Sequence, residues 1–434
     1  MTQSTIDTTA GTRLTPRQRK ALVAGSIGNT VEWVDWSVYA LLAPVFATQI
    51  FPSHDETASL LSTLAIFAVG FVMRPIGGAL LGAFADRKGR KKGLTLTISM
   101  MAVASFVIAL TPTYAAIGVA APLILLLARL VQGFSAGGEF GSSSSFLVEY
   151  AAPNRRAFAG SWQQVSVGAG VLIASGMSYI LTTTLSEGQM QSWGWRIAFA
   201  VSGLLGLVGL WLRVSVEETE SFKRVVNEGR ASRRNPVIAM LTEHPRAALR
   251  VVGITIAGTL IYYVWISFMP GYANATVGIP LDQAYLANTI AVAYFLCLLP
   301  GVARLSDRYG RKPTLLFFAG GFVLFSYPAF QLLDLGGFWS LLLVELVGVT
   351  FLAGYSANCA AVMAEQFPAE VRTTGIGLPY ALAVALFGGT APYVTTWMAS
   401  NDMGHLVWAY VGVAAVVGVV VYAAMPETRA KEMV

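Results

Sequence analysis

A chain of 434 residues in which 55% of the side chains are hydrophobic and 12% are charged cannot cover itself with water-facing groups. Soluble proteins carry charge on about a quarter of their residues, so this composition excludes a soluble globular protein and predicts a membrane protein. The net charge of +6 does not indicate a nucleic-acid partner, because the basic residues follow the membrane topology described below.

Twelve apolar runs follow one another along the chain, each close to the length of about 20 residues that a helix needs to span a bilayer. We predict an all-α membrane protein with twelve transmembrane helices, at 21–45, 59–83, 94–112, 121–146, 159–183, 195–213, 248–272, 284–303, 314–333, 339–363, 373–399 and 406–425. A sizeable connection rich in Glu, Lys and Arg lies between the sixth and seventh spans. It divides the chain into an N-terminal six-helix half, a cytoplasmic linker loop and a C-terminal six-helix half, predicted at 1–213, 214–247 and 248–434.

Two copies of a short basic loop indicate that the halves are related. The copies read GAFADRKGRKK at 82–92 and ARLSDRYGRK at 303–312. Their distinctive positions match in one register: Asp86 with Asp307, Arg87 with Arg308, Gly89 with Gly310 and Arg90 with Arg311. A second pattern is also repeated: Glu149 and Arg156 have the same spacing as Glu365 and Arg372. The chain is therefore predicted to consist of two structurally equivalent halves.

The basic residues predict the orientation of the chain in the membrane. All but three of the 29 lysines and arginines lie in the terminal segments and the even-numbered connections. The exceptions, Arg74, Arg129 and Arg196, lie within a span or at its end. By the positive-inside rule, both termini are predicted to be cytoplasmic, in a multi-pass protein of the cell (inner) membrane. The isoelectric point near 9.3 follows from this topology.

Several segments carry a resemblance to one transporter family. They are GNTVEWVDWSVY at 28–39, RPIGG at 74–78, LARLVQGFSAGGEFGSSSSFLVE at 127–149, WGWRIAFA at 193–200 and AEQFPAEVRTTGIGLPYALAVALFGG at 364–389. Together with the basic loop they resemble the metabolite:proton symporter family of the major facilitator superfamily, and within it the α-ketoglutarate carriers, almost from end to end. The resemblance implies the twelve-helix major facilitator fold, with a substrate site near the midplane between the halves.

The resemblance also implies a function. It is proton-coupled uptake of a small organic acid by a secondary active transporter, with a dicarboxylate such as α-ketoglutarate as the expected substrate. Citrate, shikimate and the zwitterionic osmolytes proline and betaine are alternative substrates. A membrane receptor or enzyme on the same fold is the alternative from a different class. The expected partners are a small organic anion and the lipid bilayer, with no nucleic acid and no cofactor, the proton as coupling ion, and a monomeric protein.

Charged side chains within spans are the candidates for chemistry, because each costs about 2.5–3.5 kcal/mol on insertion scales. Glu32 and Asp35 are three residues apart, so both carboxyl groups lie on one helix face, about 16 and 21 Å from the start of the span. Arg129 lies about 12 Å into the fourth span and so shares their depth. Two acids facing one base leave a surplus negative charge that makes one acid protonatable. We predict these three residues as a proton-coupling site; a static ion network between the two helices is the alternative.

Other residues are weaker candidates. Glu139 is a further candidate for proton coupling, but it lies about 27 Å down the fourth span, where a solvated acid is an equal alternative. Arg129 and Arg196 are predicted to bind substrate, because a guanidinium group offers paired donors to a carboxylate. For Arg196 the alternative is anchoring at the membrane interface. Tyr262 and Tyr380 are predicted to line the substrate cavity, with ordinary packing as the alternative. Arg74, directly before a proline, is interpreted as a partner for the carbonyl groups that the proline frees.

The family resemblance assigns the basic loops to a cytoplasmic gate. Asp86 is expected to hold the gate shut by meeting a partner helix end, with Gly82 allowing close helix approach. The predicted gate set is Gly82, Asp86, Arg87, Gly89, Arg90, Asp307, Arg308, Gly310 and Arg311. Ala303 stands where the signature loop usually has glycine, and we expect it to loosen the second copy. The alternative is that these charges serve only to orient the chain in the membrane.

Other motifs do not indicate catalysis. The glycine-rich run GFSAGGEFGSSSS at 133–145 lacks the Gly-Lys-Ser/Thr of a phosphate loop and is interpreted as a helix-packing surface. Cys297 and Cys359 lie in apolar runs and are predicted to be buried thiols. The three histidines fall in or near loops, so neither a catalytic nor a metal site is predicted.

Overall fold

The computed structural model describes residues 16–53, 55–88, 90–137, 139–149, 151–214 and 236–429. Long helices fill most of these ranges. They are numbered here in chain order: α1 (Pro16–Ile50), α2 (Glu56–Lys88), α3 (Arg90–Leu110), α4 (Ala120–Glu149), α5 (Pro153–Thr184), α6 (Glu187–Leu212), α7 (Pro245–Val277), α8 (Leu281–Tyr309), α9 (Arg311–Leu333), α10 (Phe338–Ala364), α11 (Arg372–Ser400) and α12 (Gly404–Ala424).

These helices coincide one by one with the predicted spans. Within the described ranges, ten of them, α2 and α4 to α12, are long and apolar enough to cross a membrane. The apolar part of α3 is the shorter stretch Thr95–Leu110, and α1 is a helix of 35 residues that carries two carboxyl groups. The predicted twelve-helix fold is therefore confirmed. Residues 215–235 of the linker lie outside the described ranges, and a short helix, Pro236–Glu243, precedes α7.

We call the end of the bundle where α6 leads towards α7 the linker end. A sharp turn there joins α8 to α9 within the second basic loop. Gly310 makes this turn with φ of 116°, in the region that residues with a Cβ rarely adopt. A Cβ at this position would also lie 2.5 Å from Oε2 of Glu427. The glycine of the motif is therefore required by the backbone.

The glycine-rich run of α4 packs directly on α2, as predicted for a helix-packing surface. A Cβ added to Gly133 would lie 1.8 Å from the carbonyl oxygen of Gly70. A Cβ added to Gly137 would lie 1.9 Å from the carbonyl oxygen of Arg74, and one added to Gly77 would lie 1.8 Å from that of Phe134. The two backbones are thus in contact, which fixes the positions of the side chains that both helices carry towards the centre.

The two cysteines differ in environment. Cys359 of α10 is fully buried, as predicted. Cys297 of α8 is exposed, so the prediction of a buried thiol is wrong for this residue. A membrane helix turns an apolar face to lipid as well as to its neighbours, and an apolar run therefore does not distinguish the two surroundings.

We expect Gly133→Ala to destabilise the protein by about 1–3 kcal/mol, because the added methyl group forces apart two backbones in contact. Thermal unfolding of the detergent-purified protein, followed by the loss of its monodisperse size-exclusion peak, measures this effect. Gly301→Ala is the matched control, since no atom lies within 4 Å of a Cβ at this helical position. Equal melting temperatures for the two variants would contradict the proposed contact.

Candidate substrate and proton site

A fully buried ion pair joins α4 to α1 at the centre of the N-terminal half. Arg129 NH1 lies 3.3 Å from Oδ2 of Asp35, and the two side chains are 0% and 1% exposed. Ser105 of α3 donates from Oγ to Oδ1 of Asp35 at 2.6 Å, and Gln132 Nε2 donates to Ser105 Oγ at 3.2 Å. Three helices thus hold one carboxyl group, and the predicted proximity of Asp35 and Arg129 is observed.

A second arginine balances the second acid. Arg74 NH2 of α2 lies 3.7 Å from Oε1 of Glu32, and both side chains are buried. The expected arrangement of two acids around one base is therefore wrong, because each acid has its own arginine. The interpretation of Arg74 as a partner for carbonyl groups freed by Pro75 is replaced by this ion pair.

One indole ring connects the two arginines. The guanidinium carbon of Arg74 lies 4.4 Å from the Trp36 ring centroid, and that of Arg129 lies 5.3 Å from the same centroid. Each arginine also covers a second ring, Phe71 at 4.2 Å for Arg74 and Tyr39 at 3.9 Å for Arg129. Cation–π attraction offsets part of the cost of removing these two charges from water.

Aromatic side chains of the C-terminal half pack against α1 next to these ion pairs. Trp33 of α1 stacks on Tyr263 of α7 at 6.1 Å and 29°, and it meets Tyr262 edge-on at 5.9 Å. Tyr263 begins a π-helical turn of α7, Tyr263–Phe268. Such turns are frequent at functional sites. The predicted cavity residue Tyr262 therefore lies between the halves, next to the charged groups of α1.

Several donors in this cluster are unused. Among the described residues, Nε and NH2 of both arginines and the hydroxyl groups of Tyr262 and Tyr263 have no hydrogen-bond partner. Buried polar groups are normally paired, so a concentration of unpaired donors needs an explanation. A polar ligand that brings acceptor oxygens would satisfy them. We call the set Glu32, Asp35, Arg74, Arg129, Tyr262 and Tyr263 the central cluster.

The structure places the remaining predicted residues elsewhere. Tyr380 of α11 stacks on Phe140 of α4 at 3.6 Å, so it joins the halves beside Glu139, which is partly exposed. Arg196 donates to the carbonyl oxygens of Ser192 at 2.5 Å and Thr111 at 2.9 Å. These contacts tie α6 to the end of α3 at the end of the bundle opposite the linker, apart from the central cluster.

At the linker end, the second basic loop bonds to the other half. Asp307 of α8 accepts hydrogen bonds from the backbone N–H groups of Ala157 at 3.0 Å and Phe158 at 2.9 Å, in the first turn of the α5 helix. A carboxylate is favourable at a helix N-terminus. Arg311 NH1 holds the same carboxylate at 2.8 Å. Ala303 is fully buried in α8. The expectation that it loosens this copy stays a prediction, since the surroundings of Gly82 in the first copy lie outside the described residues.

Two further acids complete this contact. Glu365 at the end of α10 pairs with Arg311 NH2 at 3.0 Å and accepts a hydrogen bond from Thr428 Oγ1 at 2.6 Å. Glu427 accepts hydrogen bonds from the backbone N–H groups of Arg311 and Lys312, at 2.9 and 3.0 Å, where α9 begins. Partial burial acts in the opposite direction, but four backbone N–H groups hold the pKa of the Glu427 carboxyl below its usual value.

The residues of the second repeated pattern also contact each other across the halves. Arg372 of α11 donates to Oε1 of Glu149 of α4 at 2.6 Å, and Arg156 of α5 lies 3.8 Å from Glu365 of α10. Arg308 lies over the Tyr309 ring at 5.3 Å. For the first basic loop, α2 and α3 provide the helix backbone, but Gly89 and the side-chain surroundings of the other four predicted gate positions lie outside the described residues: Gly82, Asp86, Arg87 and Arg90.

Sequence reasoning missed three members of this site. Arg74 was assigned to its proline, and Trp33 and Trp36 were read only as part of a family segment. The available signal was their spacing, since Trp33 and Trp36 directly follow Glu32 and Asp35. In the described part of the chain, no group of three or more His, Cys, Asp or Glu side chains could hold a metal ion.

Comparisons with known proteins agree with this architecture. The profile of the Major Facilitator Superfamily matches residues 25–378 and 251–433. The chain is 38% identical over 426 residues to the alpha-ketoglutarate permease of Escherichia coli, covering 97% of both chains. It is 32% identical to the proline/betaine transporter of Salmonella typhimurium, over 94% of this chain and 84% of that one.

A solved structure shares the fold. The xylose transporter XylE from E. coli, in a partially occluded inward-open conformation, superposes with a TM-score of 0.72 at 19% identity, covering 96% of this chain and all of that one. At this low sequence identity, the structural similarity supports the fold alone. Two related transporters match nearly the whole chain, and the helices form two six-helix halves. The chain therefore belongs to the Major Facilitator Superfamily.

Proposed function

We propose that this transporter takes up a small organic acid together with protons, and that a dicarboxylate such as α-ketoglutarate is its first candidate substrate. The observation that carries the proposal is the pair of buried arginines at one indole ring, with unused donors beside two carboxyl groups.

Charge balance in the central cluster supports proton coupling. Two arginines and two ionised acids sum to zero charge. An organic anion that enters this low-dielectric space adds negative charge, which is expensive to bury without compensation. A proton on Asp35 or Glu32 cancels one added negative charge, so a dicarboxylate, which brings two, needs two protons for full neutrality. Protonated Asp35 also releases Arg129 NH1 for the substrate carboxylate, so that substrate and proton favour each other's binding.

The number of arginines favours a dicarboxylate over a monocarboxylate. Each guanidinium group can hold one carboxylate through two parallel hydrogen bonds. Arg74 and Arg129 share the Trp36 ring, so one small molecule with two carboxylates can meet both. The hydroxyl groups of Tyr262 and Tyr263 are available to a keto or hydroxyl oxygen of the same molecule.

A zwitterionic osmolyte such as betaine or proline is the second candidate, and a different observation favours it. Trp33, Tyr262 and Tyr263 form an aromatic wall, and aromatic faces bind ammonium groups of such ligands through cation–π attraction. The relatives include both a permease for alpha-ketoglutarate and a proline/betaine transporter, so transport assays must compare the two classes.

The linker-end contacts form the proposed cytoplasmic gate. Asp307 and Glu149 bond directly to the other half. Glu365 pairs with Arg311, which holds Asp307, and lies near Arg156 of the other half. These contacts keep α4 and α5 against α8, α10 and α11. We assign the N-terminal half to 1–213, the linker to 214–247 and the C-terminal half to 248–434. Both termini are assigned to the cytoplasm of a cell whose inner membrane holds the protein, as the distribution of basic residues indicates.

Asp35→Asn is expected to lower accumulation of α-ketoglutarate driven by a proton gradient strongly, because the variant cannot bind and release a proton at this position. Exchange of labelled for unlabelled substrate should persist, since exchange needs no net proton release. Uptake and counterflow in proteoliposomes measure both reactions. Asp334→Asn, at an exposed acid outside the site, is the control. Parental accumulation by Asp35→Asn would remove this residue from the proton path, and parental uptake of betaine without uptake of α-ketoglutarate would select the second candidate.

Asp307→Asn is expected to open the linker end more often, because charge-assisted hydrogen bonds of this kind contribute about 1.5–3 kcal/mol each. Cys359 is a native reporter: it is fully buried and accepts a hydrogen bond from Gln164 of the other half at 3.2 Å. In a Cys297→Ser background, maleimide labelling of Cys359 should become about tenfold faster, corresponding to a shift of roughly 1.4 kcal/mol. Asp282→Asn, at the opposite end of α8, is the control, and an unchanged labelling rate would refute the gate.

The proposed orientation predicts which exposed positions face the cell exterior. With both native cysteines replaced by serine, cysteines at Ser53 and Asp334 should react with a membrane-impermeant maleimide added to intact cells. A cysteine at Glu370, which lies at the linker end, should react only after the cells are opened. The reverse pattern would place the linker end outside.

A further inference from the structure

A carboxyl group in the C-terminal half lacks the kind of partner that Asp35 and Glu32 have. Glu345 lies in α10 and is 0% exposed. Within the described residues, neither of its side-chain oxygens accepts a hydrogen bond. The neutral amide of Asn288 of α8 is a polar neighbour of this carboxyl group. A charged carboxylate without a cation is very costly inside a membrane protein, so Glu345 is held here as a neutral acid.

The internal repeat relates the position of Glu345 to that of Arg129. The echo of Glu149 in Glu365 and of Arg156 in Arg372 has an offset of 216 residues. The same offset carries Arg129 onto Glu345. The N-terminal half therefore buries a base in α4 where the C-terminal half buries an acid at the equivalent place in α10.

Asn288 connects Glu345 with α7. Its Nδ2 donates to the carbonyl oxygen of Ile266 at 2.9 Å, and its Oδ1 has no donor among the described residues. The polar surroundings of Glu345 thus consist of a neutral amide that is tied to the backbone of α7, with no cation to balance a carboxylate.

The pair lies against the π-helical turn of α7. Ile266 belongs to this turn, and Trp265 Nε1 of the same turn donates to the carbonyl oxygen of Val344 at 3.2 Å. Tyr263, a member of the central cluster, begins the turn and contacts Trp33 of α1. A Cβ at Gly348 would lie 1.8 Å from Trp265 Nε1, so α7 and α10 are in close contact here. Movement of α7 around the substrate therefore changes the surroundings of Glu345.

We propose that Glu345 is a second proton-binding group of the transport cycle, loaded in this conformation and unloaded when α7 moves away from α10 and water enters. In that step the O–H bond of the acid breaks, the proton passes to water and the carboxylate is hydrated. The charged side chains on the packed helices lie towards the helix ends: Arg246 and Arg250 of α7, Asp282, Arg304, Asp307 and Arg308 of α8, and Arg311 and Lys312 of α9. The proposal rests on the proton-coupled transport proposed above.

The number of protons moved per substrate tests this role. In proteoliposomes, the opposing substrate gradient at which net flux stops gives the stoichiometry, independently of the turnover rate. Glu345→Gln is expected to lower it by one proton per substrate while substrate exchange continues. Glu345→Asp, which keeps an acid, should retain the parental value. Glu370→Gln, at an exposed acid of the linker end, is the matched control.

The outcomes separate the two proposals. No proton movement with α-ketoglutarate in the parental protein would remove the proposed coupling itself, and with it the role of Glu345. Coupled transport with equal stoichiometry in the parental protein and Glu345→Gln would refute the role of Glu345 alone. If Glu345→Gln does not assemble, reaction of the parental protein with dicyclohexylcarbodiimide, which modifies protonated buried acids, decides the question. Mass spectrometry should locate the adduct at Glu345, and its absence there would overturn the proposal.

Discussion

The cost of burying charge in a membrane protein governs this structure. Asp35 and Arg129 can be buried because they neutralise each other and because aromatic faces surround the guanidinium group. The same constraint applies to Arg74 with Glu32. A carrier built in this way has little freedom to admit a lone anion, and the proton is the smallest species that restores neutrality. The proposed proton coupling then follows from the electrostatics of the buried site itself.

The fold could be read from the sequence because hydrophobic length and the distribution of basic residues are set by the bilayer itself. Twelve apolar runs gave twelve helices, and the duplicated loops identified the halves. The site was predicted only in part. Helix spacing placed Asp35 and Arg129 at one depth, but depth does not tell which helices are neighbours, so the pairing of Arg74 with Glu32 was missed. Cys297 was assigned to the interior for a similar reason, since lipid and protein core are equally apolar.

The two halves repeat a sequence pattern at the linker end and differ in chemistry towards the centre. Glu149 and Arg156 recur with the same charges as Glu365 and Arg372 in the second half. At the linker end, each acid pairs with the arginine of the other half. Towards the centre the correspondence changes sign, from Arg129 to Glu345. The repeated charges are therefore retained at the proposed gate and changed at the positions proposed to bind substrate and protons.

The short segment after α12 is tied to the gate through Glu427 and Thr428, which bond to the start of α9 and to Glu365. Coupling between two events is reciprocal. Whatever loosens the linker end also releases this segment, and whatever captures the segment loosens the linker end. The tail is thus an indicator of the carrier's conformation, and a protease or antibody directed at it would sense, and also bias, which way the carrier faces.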